Sequence, residues 1–317
     1  MPVLALVLAC ALWGLSFPVV KVLHLEQSAR VDGATSLFLA AWIQAARFLA
    51  GGLLLWPLLG RRGWPTGREF RQGLWLALWG GPGMALQADA LAHTSASTCA
   101  FLTQAYCVLL PLWDCARRRR PPSWRVLTAT LAVVAGTGVL SGVRPGDLRL
   151  GRGEAETLLA AVLFTFQILT LEAPAFRTNR ATPVTWVMFL AIGTAFVPAA
   201  WLAAPTPAAL AQAGASWQAL LLVLALALFC SLGAFLLMNH FQPLVPATEA
   251  GLVYTSEPVF TALYVLFLPA LLARLCGTAY PNESWSATLL AGGSLILAAN
   301  LLVHWRPAAA ADAHPCR

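Results

Sequence analysis

Ionisable side chains, among them Lys21, Arg47, Asp89 and Glu257, interrupt stretches that are otherwise almost wholly apolar. A charge placed in hydrocarbon is unfavourable by at least ~2.5 kcal/mol, so each is a functional candidate by default. Glu257 is followed by Pro258. A proline inside a helix removes a backbone donor and frees a carbonyl one turn earlier, so a kink is expected there. A carboxyl beside freed carbonyls can take a proton or a cation. Arg47 needs either an acceptor or an aqueous cavity. Gln44 lies one helical step away on the same face, and Asp89 offers a counter-ion. An Arg47–Asp89 pair that only holds helices together and an Arg47 that binds an anion both fit. Lys21 sits near the end of its apolar run, where a long side chain can also reach water by itself. Trp13, Phe17, Gln87, Thr103, Tyr106, Gln167 and Tyr254 would supply aromatic walls and a few hydrogen-bonding groups, the usual make-up of a small-molecule pocket. Each also has a plain structural use, because Trp and Tyr gather at membrane interfaces and Gln bridges helices.

Other chemistries are missing from the pattern. The sequence has no HExxH, GxSxG, DDxxD or Gly-rich phosphate loop, and its histidines (His24, His93, His240, His304, His314) are scattered. The seven cysteines show no CxxC spacing and mostly sit in apolar runs, so neither a metal centre nor a disulfide framework is expected. No catalytic residue, metal ligand or cofactor is assigned.

The elements that must position these groups follow from composition. Hydrophobic residues make up 59% of the chain and charged residues 10%, with a mean hydropathy of +0.72. Soluble domains carry about a quarter charged residues, so an all-α polytopic membrane protein is expected, with lipids as its surroundings. About twenty apolar residues cross a bilayer core. On that ruler ten spans fall near 3–24, 35–59, 73–92, 96–116, 124–143, 155–174, 184–204, 217–239, 246–271 and 284–304. The net charge of +7 comes from arginines clustered in short loops, which argues for membrane orientation and against nucleic acid. With a cytoplasmic N-terminus, thirteen basic residues fall inside: Arg61, Arg62, Arg68, Arg71, the Arg117–Arg120 run, Arg125, Arg177, Arg180, Arg306 and Arg317. Five fall outside: Arg30, Arg144, Arg149, Arg152 and Arg274. Both termini are therefore expected in the cytoplasm, in the inner membrane of the cell.

The chain also repeats itself. Ser97–Val108 lines up with Thr248–Val259 at an offset of 151 residues (257 − 106), and Phe38-Leu39-Ala40 meets Phe189-Leu190-Ala191 at the same offset. Five spans per half is an odd number, so the halves must enter the membrane in opposite senses: an inverted repeat over 3–143 and 152–304. Lys21 and Glu172 are equivalent and would face opposite sides. About ten extra residues near Pro269–Pro281 read as a longer external loop. Residues 305–317 read as a disordered cytoplasmic tail. Gly138 and Gly142 form a GxxxG step that lets helices approach, and Gly292-Gly293 mark the last span.

Ala11-Leu12-Trp13-Gly14-Leu15-Ser16-Phe17 followed by Lys21 resembles the opening helix of the drug/metabolite transporter superfamily, specifically its EamA-type members. Gln87, Thr94-Ser95-Ala96-Ser97, Phe101-Leu102-Thr103 and Pro111 resemble that family's third and fourth helices. Glu257-Pro258-Val259-Phe260 is similar to its ninth, and Asn282-Glu283 to the stretch before its last. Asp89 and Gln104-Ala105 depart from the pattern. The resemblance implies an EamA-like fold of ten helices and a secondary carrier of small metabolites, often amino acids or related compounds, commonly exported. Alternating access about a midplane site, driven by a proton or solute gradient, is the mechanism that goes with duplicated bundles. Glu257 would be the protonatable group and Arg47 the positive charge, with Trp13, Tyr106 and Tyr254 as walls. A duplicated carrier has little need to dimerise, so a monomer is expected to function. A channel or lipid scramblase would share such a fold, and a lipid-modifying enzyme fits less well.

Overall fold

The computed structural model describes residues 1–117, 119–140, 150–245 and 247–304. All regular structure among them is helical. In chain order the elements are α1 (Pro2–Arg30), α2 (Ser36–Arg62), α3 (Gly67–His93), α4 (Ala96–Thr103), α5 (Tyr106–Arg117), α6 (Trp124–Leu140), α7 (Arg152–Glu172), α8 (Ala181–Ala203), α9 (Ala209–Gln212), α10 (Trp217–Ala225), a π-helical stretch (Leu226–Gly233), α11 (Ala234–Phe241), α12 (Ala247–Tyr254), α13 (Glu257–Tyr264), α14 (Leu268–Cys276) and α15 (Ala287–His304).

Six helical stretches are long and apolar enough to cross a membrane: Pro2–Arg30, Ser36–Gly60, Ala96–Arg117, Arg152–Glu172, Ala181–Ala203 and Trp217–Leu244. The α13–α14 pair, bent by 58°, makes a seventh. Each of the ten expected spans corresponds to helix, but three fall short of that standard. Helix α3 is 27 residues long yet carries Arg68, Glu69, Arg71, Gln72, Gln87 and Asp89. Helices α6 and α15 are apolar over only Trp124–Gly136 and Ala287–Ala299. Leu53, Trp56, Leu131, Val134, Leu202, Leu220, Phe229, Leu271 and Leu290 point outward and are exposed. Outward apolar surface on that scale belongs against acyl chains. The chain is a multi-pass, all-helical membrane protein.

Local chemistry sets the breaks between elements. Thr66 and Glu69 form a reciprocal capping box at the start of α3. Ser95 accepts from Thr98 N at 3.0 Å and starts α4 directly after α3, through His93-Thr94-Ser95 as the sequence suggests. The ninth expected span is not one kinked helix. It breaks at Thr255-Ser256, and Pro258 stands in the first turn of α13, where a missing N–H leaves nothing unsatisfied. The extra residues of the second half are not a simple loop either. They form α14 and a strap over 277–286 whose Tyr280 is 6% exposed and packs with Phe17, Leu23 and Leu91. Gly138 has open space around its Cβ position, whereas a Cβ at Gly136 would lie 2.8 Å from the Gly292 carbonyl; the close α6–α15 seam lies there. Gly142 and residues 305–317 lie outside the described residues.

The repeat offset reappears in the helix boundaries. Helix α4 ends at Thr103 and α5 begins at Tyr106; 151 residues later α12 ends at Tyr254 and α13 begins at Glu257. Packing is reciprocal as well. Helix α1 lies against α12 and α13 of the other half, while α7 lies against α4 and α5. Near the end of α1, Lys21 Nζ donates to the Thr94 carbonyl, and Thr94 Oγ1 donates to Glu154 in the first turn of α7 at 2.8 Å. The last part of α1 and the start of α7 thus share one end of the bundle, so these equivalent helices run in opposite directions. At the opposite end, Glu69 holds Arg180 at 2.7 Å and Asn179 donates to Gln72 at 2.8 Å.

Candidate functional site

A cavity of about 70 Å3 lies among the helices. It is lined by Trp13 and Ser16 (α1), Arg47 (α2), Met84 and Gln87 (α3), Thr103 (α4), Tyr106 (α5), Phe164, Gln167 and Ile168 (α7), Phe235 and Met238 (α11), Tyr254 (α12) and Glu257 (α13). These residues obey the repeat. Trp13 pairs with Phe164, Ser16 with Gln167, Met84 with Phe235, Gln87 with Met238, Thr103 with Tyr254 and Tyr106 with Glu257, each at 151 residues. Arg47 and Ile168 are the lining residues whose repeat partners, Pro198 and Phe17, do not reach the cavity. The cavity therefore draws its lining from both the 13–106 and the 164–257 stretches.

Aromatic edges build most of the wall. The Trp13 ring meets Phe235 at 5.4 Å and Tyr254 at 5.8 Å between centroids, and Tyr106 meets Tyr254 at 6.3 Å. Edge-to-face contacts of this kind fix ring orientation. Tyr254 is anchored from behind, its hydroxyl donating to Gln242 Oε1 at 2.6 Å while Gln242 Nε2 donates to the Ile168 carbonyl at 3.2 Å. Gln87 Nε2 donates to Thr103 Oγ1 at 3.0 Å, and Thr103 in turn donates to the Cys99 carbonyl at 2.8 Å. The indole N–H of Trp13 is buried without a partner among the described residues.

The cavity holds one acid and one base. Arg47 is 5% exposed; its Nε donates to Ser231 Oγ at 3.0 Å and its guanidinium lies 4.9 Å from the Phe48 ring centroid. Among the described residues it makes no ion pair. Glu257 is 6% exposed and has the Gln104 amide beside it. The Arg47 guanidinium and the Glu257 carboxyl face a space that is otherwise walled by rings and amides. Such a space suits a small solute that carries both signs of charge.

Eight of the eleven residues singled out in the sequence meet here: Trp13, Arg47, Gln87, Thr103, Tyr106, Gln167, Tyr254 and Glu257. Lys21, Asp89 and Phe17 do not. Of the two readings of Arg47, the Arg47–Asp89 pair is not formed, because Asp89 lies nearer the end of α3 and binds Arg152 at 2.5 Å. Lys21 is turned inward onto Thr94 rather than out to water. Phe17 packs in a separate core cluster with Val20, Leu23 and Val265.

The EamA-like transporter family model matches residues 1–142. A curated relative from Archaeoglobus fulgidus, named an uncharacterized transporter, is 24% identical over 261 residues, covering 82% of this chain and 76% of its own. The chain is similar to EamA-like membrane transporters. One solved crystal structure shares the fold, with a TM-score of 0.54 at 17% identity over 93% of this chain and 96% of that one. The resemblance carried by the Trp13-to-Lys21 and Phe101-to-Pro111 stretches falls within the matched half.

Several lining residues were not singled out from the sequence: Ser16, Met84, Phe164, Ile168, Phe235 and Met238. A signal for three of them was present. Adding 151 to Trp13 and Gln87 gives Phe164 and Met238, and subtracting it from Gln167 gives Ser16.

Proposed function

We propose that this transporter carries a small zwitterionic metabolite, an amino-acid-like compound, through the central cavity by alternating access. In this reading ten helices form two inverted five-helix halves, 3–143 and 152–304, that rock about the cavity. The arginine-rich end faces the cytoplasm with both termini, in the inner membrane, and the movement is export. Arg47 takes the carboxylate of the solute. Glu257 takes its ammonium group or, between turnovers, a proton, which couples the flux to a gradient. Tyr106, Tyr254 and Trp13 close around the apolar part. A monomer suffices, because the duplication supplies both faces of the site.

The observation that carries the reading is the six-pair correspondence of lining residues at the repeat offset. A site made by two inverted halves lies between them, where each half can rock away in turn. At about 70 Å3 the cavity admits only a few heavy atoms in this closed form, since roughly 10–15 Å3 holds one water. The lone Arg47 favours an anionic group over a purely cationic solute.

The test is counterflow in proteoliposomes loaded with one amino acid at a time. Accumulation of labelled solute, abolished by Arg47→Met and altered in its pH dependence by Glu257→Gln, is the expected result. Solute-independent ion current, or lipid flip without solute exchange, would replace the carrier reading with a channel or scramblase.

A further inference from the structure

Lys21 and Asp89 stand outside the cavity, yet they belong to a polar cluster at one end of the bundle. Lys21 lies five residues beyond cavity-lining Ser16 on α1, or about 7–8 Å along the axis. Asp89 lies two residues beyond Gln87 on α3. Between them they lead to Thr94, the cap of α3, whose carbonyl receives Lys21 and whose hydroxyl reaches Glu154. Arg152 joins Asp89 at 2.5 Å and Glu156 at 2.7 Å. Glu283, at the end of the strap, takes the Ala96 N–H at 3.0 Å and the Ser97 hydroxyl, and its charge acts on Lys21. Its own N–H is held by the Val265 carbonyl at 2.9 Å. The cluster thus ties first-half elements (α1, the α3–α4 junction) to second-half elements (the start of α7, the strap).

The opposite end lacks this cluster. The repeat equivalents of Asp89 and Arg152 are His240 and Met1; those of Thr94 and Glu154 are Val245 and Val3; that of Lys21 is Glu172. No guanidinium–carboxylate link can form at those positions. The strap is likewise an addition to the second half alone. The polar links at the two ends therefore differ: a multi-residue cluster at this one, and the Glu69–Arg180 and Gln72–Asn179 pairs at the other. The lock that the cluster forms is imperfectly satisfied: Asp89 Oδ1 and Glu156 Oε2 are buried without hydrogen-bond partners among the described residues. Networks in that condition give up less on opening than fully paired ones.

We propose that Lys21, Asp89, Arg152 and Glu283 form the gate at this end, the external end in the reading above, on which the inference rests. The four are positioning residues. They hold the two halves together over the cavity and part when the site opens to that side. Opening at the other end would part a different set, Glu69–Arg180 and Gln72–Asn179.

The test places a thiol in the cavity, Ser16→Cys, and labels it with a membrane-impermeant cationic methanethiosulfonate. Right-side-out and inside-out vesicles are used, and modification is read at residue 16 by mass spectrometry. An Asp32→Cys variant, exposed on the α1–α2 loop, reports which vesicles present the locked end. Lys21→Met, Asp89→Asn and Glu283→Gln should each raise labelling from the locked side about ten-fold, which corresponds to about 1.4 kcal/mol of gate closure. Lys21→Arg should leave it slow. Glu69→Gln, at the far end, should not raise it. If Lys21→Met fails to fold, Glu283→Gln carries the test. Unchanged labelling in folded Asp89→Asn and Glu283→Gln overturns the gate, whatever the solute flux. Faster labelling in a protein that moves no solute keeps the gate and overturns the carrier reading.

Discussion

Replacing Arg47 with methionine should leave the protein as stable as before, or more so, while abolishing solute binding. Arg47 is buried with one hydrogen bond, to Ser231 at 3.0 Å, and one ring contact, to Phe48 at 4.9 Å. Losing the charge-assisted bond costs about 1.5–3 kcal/mol and losing the ring contact about 0.5–2 kcal/mol. Against this stands the desolvation of an unpaired guanidinium, several kcal/mol, which methionine removes while filling much of the same volume. The net change lies between about zero and +3 kcal/mol. For a chain of this length each kcal/mol is worth about 2 °C, so the melting temperature should hold or rise by up to about 6 °C. The assay is thermal unfolding of detergent-solubilised protein, run beside ligand binding on the same samples. A fall of more than about 5 °C would refute the reasoning, because it would mean that Arg47 is held in the fold for stability.

Glu257→Gln should keep the cavity shape yet uncouple transport from pH, read as exchange between equal solute pools that no longer varies with pH. At the far end, the Arg180 guanidinium beside Glu69 holds that carboxyl down at about 2. A depressed carboxylate stabilises the fold above its ordinary range near 4.5, and that contribution is lost as pH falls toward 2. Glu69→Gln should therefore lower the melting temperature by a few degrees at pH 7, with the gap to wild type closing on acidification through that window. Gly73→Ala should be destabilising by about 1–3 kcal/mol in a denaturation assay, because a Cβ there would lie 2.6 Å from Val187 Cβ and 2.9 Å from the Val184 carbonyl. Gly60→Ala, with nothing within 4 Å, should be neutral or gain up to about 1 kcal/mol from helix propensity.

Most of the fold and site was legible in the sequence, for a physical reason. In hydrocarbon every polar side chain needs a purpose, so Arg47, Glu257, Gln87 and Gln167 stood out against their apolar neighbours. What the pattern could not show was depth and partner. Asp89 and Arg47 are both charged and both helical, but which acid meets which base depends on height along α2 and α3, and that is set by packing. The apolar lining residues, Met84, Phe235 and Ile168, carry no signal of their own because any core position accepts them. The Pro258 kink failed because proline is as favourable in the first turn of a helix as it is disruptive inside one, and only the Thr255-Ser256 break decides between the two. The strap was read as a loop because its Gly, Pro and Asn content outweighs the single buried Tyr280.

The central claim is that Arg47 and Glu257 face one solute in one cavity. Its most direct test is ligand-induced thermal stabilisation of the purified protein across a metabolite library of amino acids, sugars, nucleosides and organic cations, repeated on Arg47→Met and Glu257→Gln. Zwitterionic compounds should raise the wild-type melting temperature in a concentration-dependent way, Arg47→Met should lose the effect, and Glu257→Gln should show a weakened one. A compound that stabilises all three proteins equally would contradict the claim, because its site would then lie elsewhere.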